Sequence, residues 1–288
     1  MPELPEVETI ARGVDARVRG DQIVVAWFGP KRDLLKTPAA AQVKGLESRT
    51  IAGVRRMGKH IVVGLAATGP RTARRNGVTD QRGVEEDAQW IVHLGMTGRL
   101  LVTTPEAPVE PHTHARLELK SGRELRFVDP RRFGRLELRD LGKGERFGAP
   151  GAEPLAIEAE AFAALFRGRK LAIKAALLNQ TLLSGVGNIY ADESLFRAKI
   201  RPRRRAGRLT QAELERLRLA LQEVLQAAIR LGGSSVSDYV DAEGVRGFFQ
   251  LEHRVYQRTG EPCRVCKTPI RRVVVAGRST HYCPNCQK

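Results

Sequence analysis

Cysteine is missing from the first 262 residues of this 288-residue chain, and all four cysteines fall between positions 263 and 286. No partner is left for a disulfide elsewhere, which fits a reducing cytoplasm and a local metal site. No run approaches the ~18–20 apolar residues needed to span a bilayer. The N-terminus lacks the positive charge of a secretory signal and carries Glu3, Glu6 and Glu8 instead, so export is not expected. No internal repeat is visible. Acidic residues are in deficit, 32 against 49 Lys plus Arg, for a net charge of +17. A field of that sign attracts polyanions, nucleic acid first and an anionic membrane surface or ribosome second.

What is present reads as an α+β protein, long enough for two cores. Val7, Ile10, Val14 and Val18 recur at helical spacing behind Pro5, predicting an amphipathic N-terminal helix. From about residue 22 to 138 the pattern is that of short strands. The alternating run 115–120 turns through Ser121-Gly122 into 123–128, a hairpin signature. Strands without intervening helices predict a sandwich or barrel, with 67–88 a flexible surface loop. After residue 140 the pattern is helical, over 171–178, 186–198 and 210–231. The last opens with the capping box Thr210-Gln211-Ala212-Glu213 and carries Leu214, Leu217, Leu221 and Leu225 on one stripe. The expected division is 1–141, a Gly- and Pro-rich linker 142–154, a helical domain 155–255 and a terminal module 256–288.

The terminal module has the strongest local signal. Cys263, Cys266, Cys283 and Cys286 form two CxxC knuckles separated by 16 residues, spaced to hold one structural zinc ion on a β-hairpin ribbon. Arg271, Arg272 and Arg278 make DNA its expected contact, with protein contact the alternative. A second signal is Lys174 followed by Ser184-Gly185-Val186-Gly187-Asn188. Glycine permits close backbone approach, and helix-start N–H groups hold phosphate. A third is the set Lys59, His93-Leu94-Gly95-Met96 and Asp129-Pro130-Arg131-Arg132-Phe133-Gly134. An apolar wedge beside arginine is what entry into a base stack requires; core packing is the competing account of Met96 and Phe133.

The start, Met1-Pro2-Glu3-Leu4-Pro5-Glu6-Val7-Glu8-Thr9, admits two accounts. Pro and Glu suit the first turn of a helix. Removal of Met1, favoured by a small second residue, would instead expose a secondary amine able to attack an aldehyde-like carbon, with Glu3 placed to move protons.

These motifs, in this order and nearly end to end, resemble the formamidopyrimidine-DNA glycosylase/endonuclease VIII family. Leu4 favours the first branch, because the second typically has Gly there. The resemblance implies a bacterial, cytoplasmic, nucleoid-associated and monomeric repair enzyme. Its expected fold is an N-terminal β-sandwich with an N-terminal helix, a helical domain with a helix–two-turn–helix, and the zinc ribbon. It implies excision of oxidised purines from double-stranded damaged DNA through a Schiff base on Pro2. Glu3 would serve as catalytic carboxylate, Lys59 would act in β-elimination and Arg278 in δ-elimination. His112, Arg131 and Arg169 would contact DNA, and Met96, Arg131 and Phe133 would fill the void left by the flipped base. Lys174 and Asn188 would clamp phosphate, and 241–249 would form the loop covering the extruded base. Two positions depart from the family's pattern: Arg169 stands where a lysine is known, and Asn179 where many relatives carry Asp. The alternatives are a sibling enzyme for oxidised pyrimidines and a non-catalytic zinc-ribbon DNA-binding protein.

Overall fold

The computed structural model describes residues 1–67, 78–79, 85–235 and 239–288. The chain divides into two units. The first contains Met1–Pro2, Glu6–Gly148 and Ser235–Gly247; the second contains Glu3–Pro5, Ala149–Ser234 and Phe248–Lys288.

The first unit follows the expected alternation. Helix α1 (Leu4–Val18) buries Val7, Ile10, Val14 and Val18 on one stripe. After it come β1 (Ile23–Phe28), α2 (Ala39–Leu46), β2 (Arg49–Met57), β3 (His60–Ala67), β4 (Val78–Thr79) and β5 (Glu85–Glu86). Then follow β6 (Ala88–His93), β7 (Arg99–Thr103), β8 (Thr113–Leu119), β9 (Glu124–Val128) and β10 (Arg135–Asp140). Two four-stranded antiparallel sheets form, in the orders β1-β8-β9-β7 and β10-β6-β3-β2. One core takes Phe28, Leu117 and Phe127 from the first sheet, Val63, Trp90 and Leu136 from the second, and the apolar stripe of α1. This is a β-sandwich with a helix against it, each strand giving alternate residues to the interior. The β8–β9 hairpin turns at the expected place, with Leu117 opposite Leu125.

Helix α2 has no counterpart in the sequence reading. It is short, follows Pro38, and buries the polar Gln42, so its apolar periodicity is weak. Gln42 accepts a 2.9 Å hydrogen bond from the indole of Trp90 in the core, which satisfies both buried groups. Of the loop expected over 67–88, residues 68–77 and 80–84 lie outside the described residues. The remainder departs from a surface loop. β4 pairs with β5, and Glu86 is buried with both carboxylate oxygens on Arg55.

The second unit comprises α3 (Ala159–Ala164), α4 (Ile173–Leu177), α5 (Asn188–Arg197), α6 (Gln211–Arg230), β11 (Arg271–Val275) and β12 (Arg278–Tyr282). Helix α4 is shorter than the apolar run 171–178 suggests. Ala172 is extended and bridges Arg205, and the Asn179 side chain accepts from Thr181, ending the helix by local competition. The double turn between α4 and α5 is stitched by Gln180. Its amide donates to the carbonyls of Leu178 and Val186, and its oxygen accepts from Gly185 N–H. The capping box of α6 forms as expected between Thr210 and Glu213, and Leu214, Leu217, Leu221 and Leu225 are all buried. Thr210→Ala removes that cap and should cost about 1 kcal/mol of stability, read as a lower urea midpoint at unchanged slope.

The stretch Ser235–Gly247 falls with the first unit. Ala242 is buried there, and its carbonyl accepts from Val102 N–H. The ribbon falls with the second unit.

Candidate catalytic and DNA-binding site

Pro2 and Glu3 are both buried, immediately before α1. Leu4 N–H donates to the Gly185 carbonyl at 3.0 Å. The Glu3 carboxylate then meets the start of α5, accepting from Ile189 N–H at 3.2 Å and from Tyr190 N–H at 3.5 Å. A helix N-terminus presents unpaired N–H groups and the positive end of its dipole, so a carboxylate is well held there. Gly187 makes the approach possible: a Cβ at that position would fall 2.6 Å from Glu3 Cγ and closer still to the carboxylate. The glycine spacing predicts close approach of a phosphate here; the chain's own Glu3 occupies part of that space. Gly187→Ala should therefore displace Glu3 and cut single-turnover base release at least tenfold, with the ribbon's zinc content unchanged.

Asn188, the first residue of α5, has a buried side-chain oxygen with no hydrogen-bond partner among the described residues. Its amide faces Tyr256, whose hydroxyl is shifted upward mainly by burial, Asn188 pulling the other way. Lys174, expected at the phosphate clamp, has partners within the chain. It is fully buried rather than presented to a ligand. Its ammonium lies 2.7 Å from Asp192 and donates at 2.8 Å to the Ser279 carbonyl of β12. Burial lowers its pKa, with Asp192 opposing that shift. Asp192 also accepts from the His281 backbone N–H at 2.8 Å. Lys174 and Asp192 thus fasten both sides of the double turn to the strand that begins at Arg278. Arg278 itself is exposed at the ribbon tip, just after the Ala276–Gly277 turn. Arg169 is exposed as well, with its Nε donating to the Leu165 carbonyl.

The four cysteine sulfurs lie within 4.8 Å of one another. Cys263 and Cys286 are 3.9 Å apart, and Cys266 and Cys283 are 3.4 Å apart. A tetrahedral zinc with bonds of ~2.3 Å sets sulfurs ~3.8 Å apart, so the set fits the ion. Backbone N–H groups of Val265 and Cys286 point at the Cys263 and Cys283 sulfurs. Burial pushes the Cys283 and Cys286 thiols up, while hydrogen bonds led by Thr268 bring Cys266 down to about 5. Zinc takes cysteine as thiolate, and four sulfurs this close are held together by the cation they share. The chain therefore carries one structural zinc site.

In the first unit, Lys59 is buried in the Gly58–Lys59 turn joining β2 to β3. The turn after β6 holds Met96, and Gly95 within it has φ +64°. A Cβ on Gly95 would lie 2.6 Å from Gly134 N, so this turn packs directly on the backbone beside Phe133. Asp129, named in the sequence only as the start of its motif, ties the two together. Fully buried, it accepts from Thr97 Oγ1 at 2.6 Å and from Gly134 N–H at 2.8 Å. Met96 and Phe133 are 41 % and 47 % exposed, which removes the core-packing account of both. The Arg131 guanidinium lies over the Phe133 ring, 4.9 Å from its centroid, a cation–π pair at the surface. His112 is exposed with φ 67°, and its carbonyl accepts from Asp129 N–H.

Three family descriptions match along the chain. Residues 1–136 match the formamidopyrimidine-DNA glycosylase N-terminal domain, 150–240 the H2TH domain of the same enzymes, and 260–288 the zinc finger found in FPG and IleRS. The chain belongs to the formamidopyrimidine-DNA glycosylase family. It is 46 % identical to the formamidopyrimidine-DNA glycosylase of Solibacter usitatus over 288 residues, covering 100 % of both chains. It is 43 % identical to that of Desulfitobacterium hafniense over 300 residues, again covering both completely. Among solved structures, a Lactococcus lactis FPG mutant bound to Fapy-dG DNA matches with a TM-score of 0.85 and 33 % identity, covering 100 % of each chain. The wild-type L. lactis enzyme with an oxidised-pyrimidine DNA matches with a TM-score of 0.84. Among the described residues, no helix is long and apolar enough to cross a membrane.

Proposed function

We propose that this protein is a bifunctional DNA glycosylase and AP lyase of base-excision repair, acting on oxidised purines in duplex DNA. The observation that carries this reading is the Glu3 carboxylate held on the α5 N-terminus beside Pro2, in a chain matched throughout by the family. The net charge of +17 attracts the duplex. Met96, Arg131 and Phe133 enter the stack as the damaged nucleotide leaves it, offsetting an unstacking cost of a few kcal/mol. His112, Arg169 and Asn188 hold the backbone, and Lys174, paired with Asp192 of α5, fixes the double turn from inside.

Once Met1 is removed, the Pro2 nitrogen attacks C1′ and the N-glycosidic bond breaks, the base leaving with a proton. Glu3 assists sugar-ring opening and moves that proton. The resulting iminium has no N–H to lose, so it stays cationic and acidifies the C2′ protons. Loss of one expels the 3′-phosphate, with Lys59 assigned to this β-elimination. A second elimination, assigned to Arg278, expels the 5′-phosphate, and hydrolysis frees the amine. Zinc takes no part in these steps; it holds the ribbon that carries Arg278.

Borohydride reduces an iminium to a stable amine. Incubation with an 8-oxoguanine duplex and borohydride should give a covalent adduct that peptide sequencing places on Pro2. Absence of the adduct with Met-processed, zinc-loaded protein overturns the mechanism. Because the L. lactis relative has been seen with an oxidised pyrimidine, competition between 8-oxoguanine and thymine glycol duplexes decides the lesion class. A non-catalytic DNA-binding protein would nick neither.

A further inference from the structure

The second unit contains a cavity of about 510 Å³ on the far part of α5; no catalytic or phosphate-contacting residue lines it, and Phe249, the last residue of the expected 241–249 loop, is the one position shared with that expectation. Asn188 opens α5, whereas the cavity is lined from Glu193 to Lys199. At 1.5 Å per residue the far end of that stretch lies roughly 15 Å from the phosphate-facing turn. The volume falls within the ~300–1,000 Å³ of small-molecule sites.

Its interior is apolar. Phe196 from α5, Val224 and Ala227 from α6, and Phe249 from the turn Phe249–Glu252 line it, and Val265 of the ribbon stands at one side. Phe196, Val224 and Phe249 are almost wholly buried, and Val265 is 68 % exposed. Its charged lining is mostly cationic. Arg197, Lys199, Arg230 and Arg254 line the cavity, and all four are exposed residues. Arg197 has a partner, Glu223, at 3.3 Å, but both side chains are solvated, so that pair is weak. Two carboxylates are also present, Glu193 and Glu252. Glu193 is already spoken for. It is buried and accepts from the N–H groups of Arg254, Val255 and Tyr256 at 2.9, 3.0 and 2.8 Å, so it does not repel an anion as a bare charge would.

An apolar chamber with arginines and a lysine at its edge selects a molecule with an apolar body and one anionic head. A neutral apolar ligand leaves the cations unused, and a small inorganic anion leaves the chamber wet. We propose that this cavity binds an amphipathic organic monoanion, such as a medium-chain carboxylate or an aryl sulfonate. The hydrocarbon seats against Phe196, Val224 and Phe249, and the head seats among Arg230, Arg254 and Lys199. Apart from Phe249 and the zinc ligand Cys286, none of its lining residues has a part in the glycosylase reading, and the test below does not depend on that reading.

The test uses zinc-loaded full-length protein saturated with a duplex carrying a tetrahydrofuran abasic analogue, so that DNA covers the phosphate-contacting surfaces. The probe is 8-anilinonaphthalene-1-sulfonate, followed by fluorescence and calorimetry. One probe should bind per chain, decanoate should displace it, and decan-1-ol should compete at least tenfold more weakly. Arg230→Glu should weaken probe binding at least tenfold, and Ala227→Trp, which fills the chamber, should abolish it. Both variants should retain nicking of an abasic-site duplex. Probe binding that disappears once DNA is added overturns the proposal, because it puts the anion on the DNA-binding surface. Binding unchanged in both variants overturns it as well, as does equal competition by decanol and decanoate. If Ala227→Trp fails to fold, the surface variant Arg230→Glu and the decanol comparison still decide the matter.

Discussion

Glu3→Gln should reduce single-turnover release of 8-oxoguanine by about 10²–10⁴-fold, the range typical of a lost general acid or base. The substitution keeps the size of the side chain and one oxygen to accept from Ile189 or Tyr190 N–H. Placement of the side chain against Gly187 is therefore retained, and what disappears is the capacity to carry a proton. The loss should fall on base excision more than on DNA binding. Dissociation constants for an abasic-analogue duplex should stay within about threefold, a change of ~0.7 kcal/mol on the tenfold-per-1.4 kcal/mol scale. Parallel rate and binding measurements on the purified variant read both quantities. Full excision activity in the variant removes Glu3 from the chemistry and leaves it a helix-capping residue of α5.

Zinc removal, or Cys283→Ser, has the second large expected effect. The ribbon has little else to hold it. Its own apolar cluster is Phe196, Val255, Ile270 and the cysteines, and two strands alone are marginal in water. Structural zinc contributes ~10–16 kcal/mol to folding of comparable small modules, far more than this cluster can replace. The ribbon's remaining anchors are polar and depend on its fold, among them Lys174 on the Ser279 carbonyl, Asp192 on His281 N–H and Gln287 on the Ile200 carbonyl. Chelation should therefore release Arg278 from its place and lower strand nicking by at least 100-fold. The sandwich unit, whose core contains none of these residues, should keep its thermal transition. Calorimetry with and without a strong chelator, alongside nicking of an abasic duplex, separates the two effects. Zinc content near one per chain in Cys283→Ser would contradict the four-cysteine ligand set.

Much of the architecture was legible because it rests on periodicity and spacing. The stripe Val7, Ile10, Val14 and Val18 predicts α1, alternation over 115–128 predicts the β8–β9 hairpin, and the Thr210–Glu213 box marks the start of α6. The cysteine knuckles come together as their spacing requires. Helix α2 escaped because its buried face includes Gln42, a polar residue made tolerable only by Trp90 from a distant strand. Helix α4 was drawn too long because an apolar run does not reveal that Ala172 is taken by a bridge to Arg205. The roles of Asp129 and Gln180 are hidden in the sequence for the same reason. Each is an ordinary polar residue in sequence, and its importance lies in which N–H groups converge on it.

By itself the sequence determined the fold class, the metal ligands, the polyanion-attracting charge and the family. These follow from residue type, interval and sum, which hold for an extended chain as well as a folded one. Only the tertiary structure decided the state of individual side chains. It placed Glu3 on the α5 N-terminus, enclosed Lys174 with Asp192, left Met96 and Phe133 at the surface, and enclosed a cation-edged chamber beside the ribbon. Whether a charge is buried or an apolar ring exposed depends on what other segments bring to it. A lysine inside a protein must find its counter-charge, and at position 174 that partner comes from eighteen residues along the chain.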